Sequence, residues 1–306
     1  MKKCLISVAL LILFLSMMAC SRKEQLRILV PSGSPAIAQM YLQEQTNQYR
    51  VDIVNGPDPL VAAFLAQTRT HDIIFAPTNL GAKLATTGMN FWYAGAIVWG
   101  NYYIVGQGHS SFTLYDLAGK SIIVFGQNQT SDIIIRYLLN ALSIDVSIIY
   151  VDSVATATAM FLADASTIVM VAEPSLSVIR NQMENVQIID LQTNYMSITG
   201  QEGYPQSGVF VHQSLSKSKI NKFLEDLELG IQKVNDDPHA AGLLAETLKM
   251  GFSADIITMA IPNSHLNYVS ALASKTALEI YFSLILELNA SLIGGKLPEQ
   301  SFYYQP

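Results

Sequence analysis

The chain has 306 residues, half of them apolar and only 14% charged, with a net charge of −6 and a mean hydropathy of +0.30. Its length fits about two domains of roughly 100–200 residues, and its apolar content excludes a disordered chain. The acidic balance argues against a nucleic-acid partner, which needs a basic surface, and leaves a choice between a membrane protein and a soluble one with a single apolar segment.

The first residues decide much of that choice. Lys2 and Lys3 precede an almost uninterrupted apolar run over 5–18, shorter than the roughly 20 residues of a bilayer span. Ala19 is small, Cys20 follows, and the chain turns polar at Ser21-Arg22-Lys23-Glu24-Gln25. This conjunction resembles a bacterial lipoprotein signal, although Met17 stands where such signals most often have leucine. Residues 1–19 are expected to leave, Cys20 to carry the lipid (a palmitate-type anchor), and 20–25 to form a tether. An uncleaved anchor helix is the competing reading. Loss of Lys2 and Lys3 makes the remaining chain two charges more negative. The absence of any cysteine beyond Cys20 excludes a structural disulfide and a catalytic thiol in the body. No later apolar run reaches membrane length by this reading, because Glu279 and Glu287 interrupt the stretch over 280–288.

Strands and helices then alternate. A strand over 26–30 meets the turn Pro31-Ser32-Gly33-Ser34-Pro35, with Ser34 as N-cap and Pro35 at the first helical position, and a helix to about 45. Strands follow at 51–54, 72–76, 91–98 and 102–105, with helices from 57 and 77 between them. The pattern resets with strands at 121–125, 147–151, 167–171 and 186–189 and helices over 129–142, 153–162 and 174–182. One more strand covers 209–212. From Lys217 on, the chain reads as helices: 220–234, 238–248, 255–259 and 276–288. Alternation of this kind predicts an α/β protein with mostly parallel sheets, and short apolar strands without alternation fit sheets covered on both faces. The late return to helices suggests a discontinuous first domain.

In open α/β sheets, ligands bind beyond the carboxyl ends of strands, where helix N-termini present free amides. Four polar loops occupy such places. They hold Ser32, Gly33 and Ser34; Thr78 and Asn79; Asn128, Gln129, Thr130 and Ser131; and Glu173. Any one of them is adequately explained as a helix cap, but four at the same end of two sheets make a ligand cleft. Trp99, Asn101 and Tyr102 at one crossover, and Tyr204 and Gln206 at the other, add aromatic surface and amides suited to a small organic ligand. Strand-end packing explains Trp99 equally well.

The strand–Ser/Gly loop–helix order, the segment Asp72-Ile73-Ile74-Phe75-Ala76-Pro77-Thr78 and the run Leu117-Ala118-Gly119-Lys120-Ser121-Ile122 resemble the substrate-binding proteins of ABC importers. The Leu-Ala-Gly-Lys run is similar to the opening of their second domain. The chain looks most like the nitrate/sulfonate/taurine and thiamine-pyrimidine-precursor branch of the type II periplasmic binding protein fold, and the tail Ile293-Gly294-Gly295-Lys296-Leu297-Pro298 is similar to the end of members of that branch. The resemblance spans most of 26–304. It implies two α/β lobes, lobe I over 26–100 and 206–306 and lobe II over 101–205. Crossovers near 98–103 and 203–209 would join them, and hinge closure would trap a solute between them. It also implies a monomer held outside the cytoplasm on the membrane by its lipid, working with ABC permease and ATPase subunits.

Enzymatic readings find little support. The histidines His71, His109, His212, His239 and His265 show no metal-ligand spacing, so no metal and no cofactor are expected. Gly119-Lys120-Ser121 lacks the glycine a phosphate loop needs, since Leu114 is there. Glu173 could serve as a base, but no nucleophile is specified beside it, so no catalytic residue is assigned. An extracytoplasmic enzyme or a ligand sensor on the same fold is the alternative. Asn79, Asn101, Asn128, Glu173 and Gln206 make a neutral-to-acidic lining without arginine. This favours a neutral or cationic heteroaromatic compound of the vitamin-precursor kind over a sulfonate- or nitrate-type anion.

Overall fold

The computed structural model describes residues 25–108 and 111–306. The signal over 1–19, lipidation at Cys20, the tether up to residue 24 and His109 lie outside the described residues. The first strands and helices are β1 (Leu26–Pro31), α1 (Ser34–Ala38), α2 (Met40–Gln43), β2 (Tyr49–Val54), α3 (Asp58–Phe64), β3 (Ile73–Pro77), α4 (Thr78–Ala85) and β4 (Phe91–Val98). A second unit contains β5 (Tyr102–Gln107), β6 (Ser121–Phe125), α5 (Thr130–Ala141), β7 (Ser147–Val151), α6 (Val154–Ala163), β8 (Val169–Ala172), α7 (Ser175–Gln182), β9 (Val186–Asp190) and α8 (Leu191–Thr199). The chain ends with β10 (Ser207–His212), α9 (Lys217–Asp236), α10 (Pro238–Thr247), α11 (Ala254–Ala260), β11 (Leu266–Ser270) and α12 (Lys275–Asn289).

Two sheets form, in the orders β11-β4-β10-β3-β1-β2 and β7-β6-β8-β5-β9. β1, β2 and β3 are parallel, as are β6, β7 and β8. The reversed strands are β10 and β11 in the first sheet and β5 in the second. β5 and β10 each begin directly after a crossover. β4 belongs to the first sheet and β5 to the second, so residues 99–101 cross between them, and residues 200–206 lead back from α8 to β10.

Burial explains the short apolar strands. In β5, Tyr102 and Ile104 join one core cluster, while Tyr103 and Val105 join another on the opposite face. Both faces of this interior strand are therefore covered, and period-two alternation has no solvent side to follow there, whereas the edge strand β7 leaves Ser147 and Ile149 exposed.

Some elements differ from expectation. The first helix breaks at Gln39, whose side-chain amide donates to the Ala36 carbonyl at 2.8 Å. α8 was not expected. Asp190 caps it by accepting from the amides of Gln192 and Thr193. β11 replaces part of the expected all-helical tail, because its residues complete the edge of β4. Where β11 stops, the C-terminus takes over that edge, with the Tyr304 amide donating to the Tyr93 carbonyl at 2.8 Å and Tyr303 buried beside it. Lys275–Ile293 is, contrary to expectation, long and apolar enough to cross a membrane by length and composition. Here Leu278, Tyr281, Phe282 and Ile285 of this segment are buried in the protein core.

Gly242 shows how closely α10 and α11 approach. A Cβ there would lie 2.4 Å from both the Ala254 carbonyl oxygen and Thr258 Oγ1. Gly242→Ala should therefore destabilise by about 1–3 kcal/mol through overpacking, reversing the roughly 1 kcal/mol gain that alanine brings to an open helix. Urea unfolding measures this, and a stabilised variant would show that the two helices separate freely.

Candidate functional site

The four loops after β1, β3, β6 and β8 converge between the two sheets. Gly33, at φ 91°, takes the N-cap position of α1, in a backbone region that glycine enters without steric cost. Ser34 is therefore not the cap. Its buried hydroxyl lies 3.1 Å from Ser264 Oγ and 3.4 Å from the Glu173 carbonyl oxygen, and accepts from Asn101 Nδ2 at 2.6 Å. Thr78 likewise does not cap α4, since its hydroxyl donates to the Pro205 carbonyl at 2.6 Å. Thr130, at the start of α5, donates to Asn79 Oδ1 at 3.1 Å.

The two crossovers are tied to each other. The Asn101 amide donates to Gln206 Oε1 at 3.1 Å, and Gln206 Nε2 returns a bond to Asn101 Oδ1 at 2.7 Å. All these polar groups are buried, and buried polar groups are retained only where partners satisfy them. In this conformation they satisfy one another across the interface between the sheets.

Glu173 directly follows β8 and is 2% exposed. One carboxylate oxygen accepts from the Ser177 amide and the other from the Ser177 hydroxyl, each at 3.1 Å, and Asn263 adds a side-chain bond. Burial pushes its carboxyl up to about 7, against the opposing pull of the Ser177 and Asn263 bonds and of Arg180. Desolvation penalises the charged form, and the hydrogen bonds only partly offset it.

An aromatic seam backs the network. Tyr102 stacks on Tyr204 with centroids 6.3 Å apart, and Tyr204 also meets Tyr195 at 5.1 Å and Tyr281 at 5.9 Å. Tyr281 comes from α12, so the tail helix touches the second unit as well as the first.

The other expected residues lie apart from this network. Ser32, Asn128 and Gln129 are exposed. Asn128 is left-handed at φ 61°, with its amide donating to Asp132 Oδ2 at 2.8 Å. Ser131 donates to the Phe125 carbonyl at 2.5 Å and closes its own turn. Trp99 is half-buried and faces a separate cavity.

Several residues of the site escaped the sequence reading. Asp132 anchors the loop after β6, accepting from Arg136 at 2.8 and 3.0 Å and from the Tyr150 hydroxyl at 2.6 Å. Its signal was available as a first-turn acid with a basic residue four positions on. Ser264 and Asn263 lie in a short turn before β11 and carried no such signal. Tyr103 reaches the Asn263 carbonyl at 2.8 Å. Among the described residues, no group of three or more His, Cys, Asp or Glu side chains is placed to hold a metal.

Two α/β lobes joined by two crossovers are the fold of periplasmic binding proteins. A crystal structure of an ABC transporter from Parabacteroides distasonis matches with a TM-score of 0.80 at 25% identity, covering 92% of this chain and 99% of that one. The periplasmic aliphatic sulphonate-binding protein SsuA from Escherichia coli matches at 0.71 and 19% identity, covering 92% of each chain. The zinc-bound ligand-binding component of an ABC-type import system from Staphylococcus aureus matches at 0.68 and 16%, covering 92% of this chain and 97% of that one. No family model and no curated protein matches the chain.

Proposed function

We propose that the chain is the solute-binding component of an ABC importer, held outside the cytoplasm by a lipid on Cys20. It traps a small organic solute between lobe I (26–100 and 206–306) and lobe II (101–205) and passes it to a permease driven by an ATPase. The observation that carries this reading is the buried seam of Ser34, Thr78, Asn79, Asn101, Thr130, Glu173 and Gln206, drawn from both lobes and both crossovers. Opening the lobes breaks contacts such as Asn79–Thr130 and frees amides and hydroxyls for a ligand with donors and acceptors on its edges. Tyr102 and Tyr204 lie beside these groups, and the seam contains no lysine or arginine. Both features favour a neutral or cationic heteroaromatic solute. Glu173 supports binding rather than turnover, because its carboxylate oxygens are taken by Ser177 and Asn263 while Ser34 meets only its backbone carbonyl.

A thermal-shift screen against pyrimidines, flavins, amino acids, sulfonates and nitrate tests the reading. A ligand at a hundred times its Kd stabilises by about 2.7 kcal/mol, a rise in Tm of about 5 °C or more for a chain of this size. Stabilisation by a pyrimidine that is recovered unchanged is the expected result. Stabilisation by anions alone overturns the heteroaromatic assignment, and chemical conversion of the bound compound overturns the transport role.

A further inference from the structure

Trp99 lies outside the interlobe seam, and its surroundings have a chemistry of their own. Its indole N–H donates to the Asn267 carbonyl at 2.9 Å. This bond fixes the ring at the edge of a cavity of about 560 Å³, on the flank of the hinge. Its walls come from both crossovers, through Trp99, Glu202 and Gly203, from the start of β11, through His265 and Leu266, and from α12, through Ala277. A volume of this size lies within the range of roughly 300–1,000 Å³ typical of small-molecule sites. Close packing of the crossovers defines one wall. A Cβ on Gly203 would lie 2.6 Å from the Trp99 carbonyl oxygen, so the second crossover lies directly against the first.

Glu202 supplies a carboxylate, and no lysine or arginine lines the cavity. His265 Nδ1 is turned to the Gly100 carbonyl oxygen at 2.7 Å. The Trp99 ring lines this cavity, and indole is the aromatic side chain that best attracts a cation. Leu266 and Ala277 supply apolar contact for the body of a ligand.

We infer that this cavity is a second binding site, distinct from the interlobe seam, for a small organic cation: an ammonium group paired with Glu202 and carried on an aromatic or apolar body that packs against Trp99 and Leu266. Titration calorimetry on the purified full-length chain tests this with benzylamine as the probe, and with phenylacetate and benzyl alcohol as anionic and neutral probes of the same shape. The Trp92→Phe background leaves Trp99 as the one tryptophan, so its emission reports occupancy independently. Benzylamine should bind at least tenfold more tightly than either control and shift the Trp99 emission. Glu202→Gln should weaken it at least fivefold and Trp99→Ala at least tenfold. If Trp99→Ala does not fold, Trp99→Phe should still weaken it two- to fivefold. Asn79→Ala, which removes an interlobe contact, should leave benzylamine affinity within twofold. Equal binding of phenylacetate, indifference to Glu202→Gln, or a large loss in Asn79→Ala would overturn the site; the Trp99 emission and the Glu202→Gln response separate this cavity from the seam, which is itself proposed to take a neutral or cationic aromatic solute.

Discussion

Tyr204→Ala is expected to cost about 3–5 kcal/mol in urea unfolding, the range for truncating a large buried aromatic. Tyr204 is fully buried and sits at the centre of a seam, stacked on Tyr102, edge-on to Tyr195 and 5.9 Å from Tyr281. These rings belong to β5, α8 and the tail helix α12, so the cavity left by alanine opens where both lobes meet the second crossover. Collapse into it is hindered because the neighbours are rigid rings anchored on different elements. Gly100 on the first crossover fits against the same ring, and a Cβ there would lie 2.7 Å from Tyr204 Cζ. The control is Tyr204→Phe, which keeps the ring and loses only the hydroxyl bond to Gln192 Oε1 at 3.2 Å, worth about 0.5–1.5 kcal/mol. An alanine variant within 1 kcal/mol of the wild type would mean that the seam carries little of the interlobe contact.

The second large effect is a pH dependence centred on Glu173. Its carboxyl is raised in the folded protein from an ordinary 4.5 to about 7, chiefly by burial. Below pH 4.5 the group is protonated in both the folded and the unfolded chain and has no effect on the balance. As the pH rises above 4.5 the unfolded chain releases the proton while the folded chain retains it, so stability falls until about pH 7 and then levels. A difference of this size corresponds to roughly 3 kcal/mol. Glu173→Gln removes the titration, so the wild type and the variant should diverge steadily between pH 4.5 and 7 in chemical denaturation, with the variant gaining. Opening the lobes also returns the carboxylate to water, so small-angle scattering should show the wild type expanding as the pH passes 7 while the glutamine variant does not. Parallel stability profiles for the two proteins would show that Glu173 is hydrated in solution and that the interface is looser than described.

Much of the architecture is legible in the linear order of residues. Apolar runs such as Ile73-Ile74-Phe75-Ala76, each followed by a turn and a small polar residue, mark where strands end and helices begin. Since both the strand and the cap signals are local, the four loops at the carboxyl ends of β1, β3, β6 and β8 could be located and assigned to one end of each sheet. The misses have equally physical causes. β11 is a short edge strand whose identity depends on pairing with β4. The helix α8 is announced only by Asp190, because Gln192, Thr193 and Asn194 dilute its apolar stripe. Ser34 and Thr78 look like caps because serine and threonine usually cap helices, but their hydroxyls are claimed by Asn101 and by the Pro205 carbonyl, far away in the chain.

The sequence by itself determined the α/β order, the polar loops, the two crossovers and an acidic body without cysteine beyond Cys20. It did so because these depend on residue type and near neighbours. Tertiary structure alone decided which polar groups face one another. Asn101 and Gln206, 105 positions apart, pair only because two crossovers run side by side. Trp99, two residues from Asn101, is carried to the flank of the hinge because β11 supplies the carbonyl that holds its indole. Such partners are chosen by packing over the whole chain, where the cost of leaving a buried polar group unpaired selects one arrangement among many that the local signals would allow.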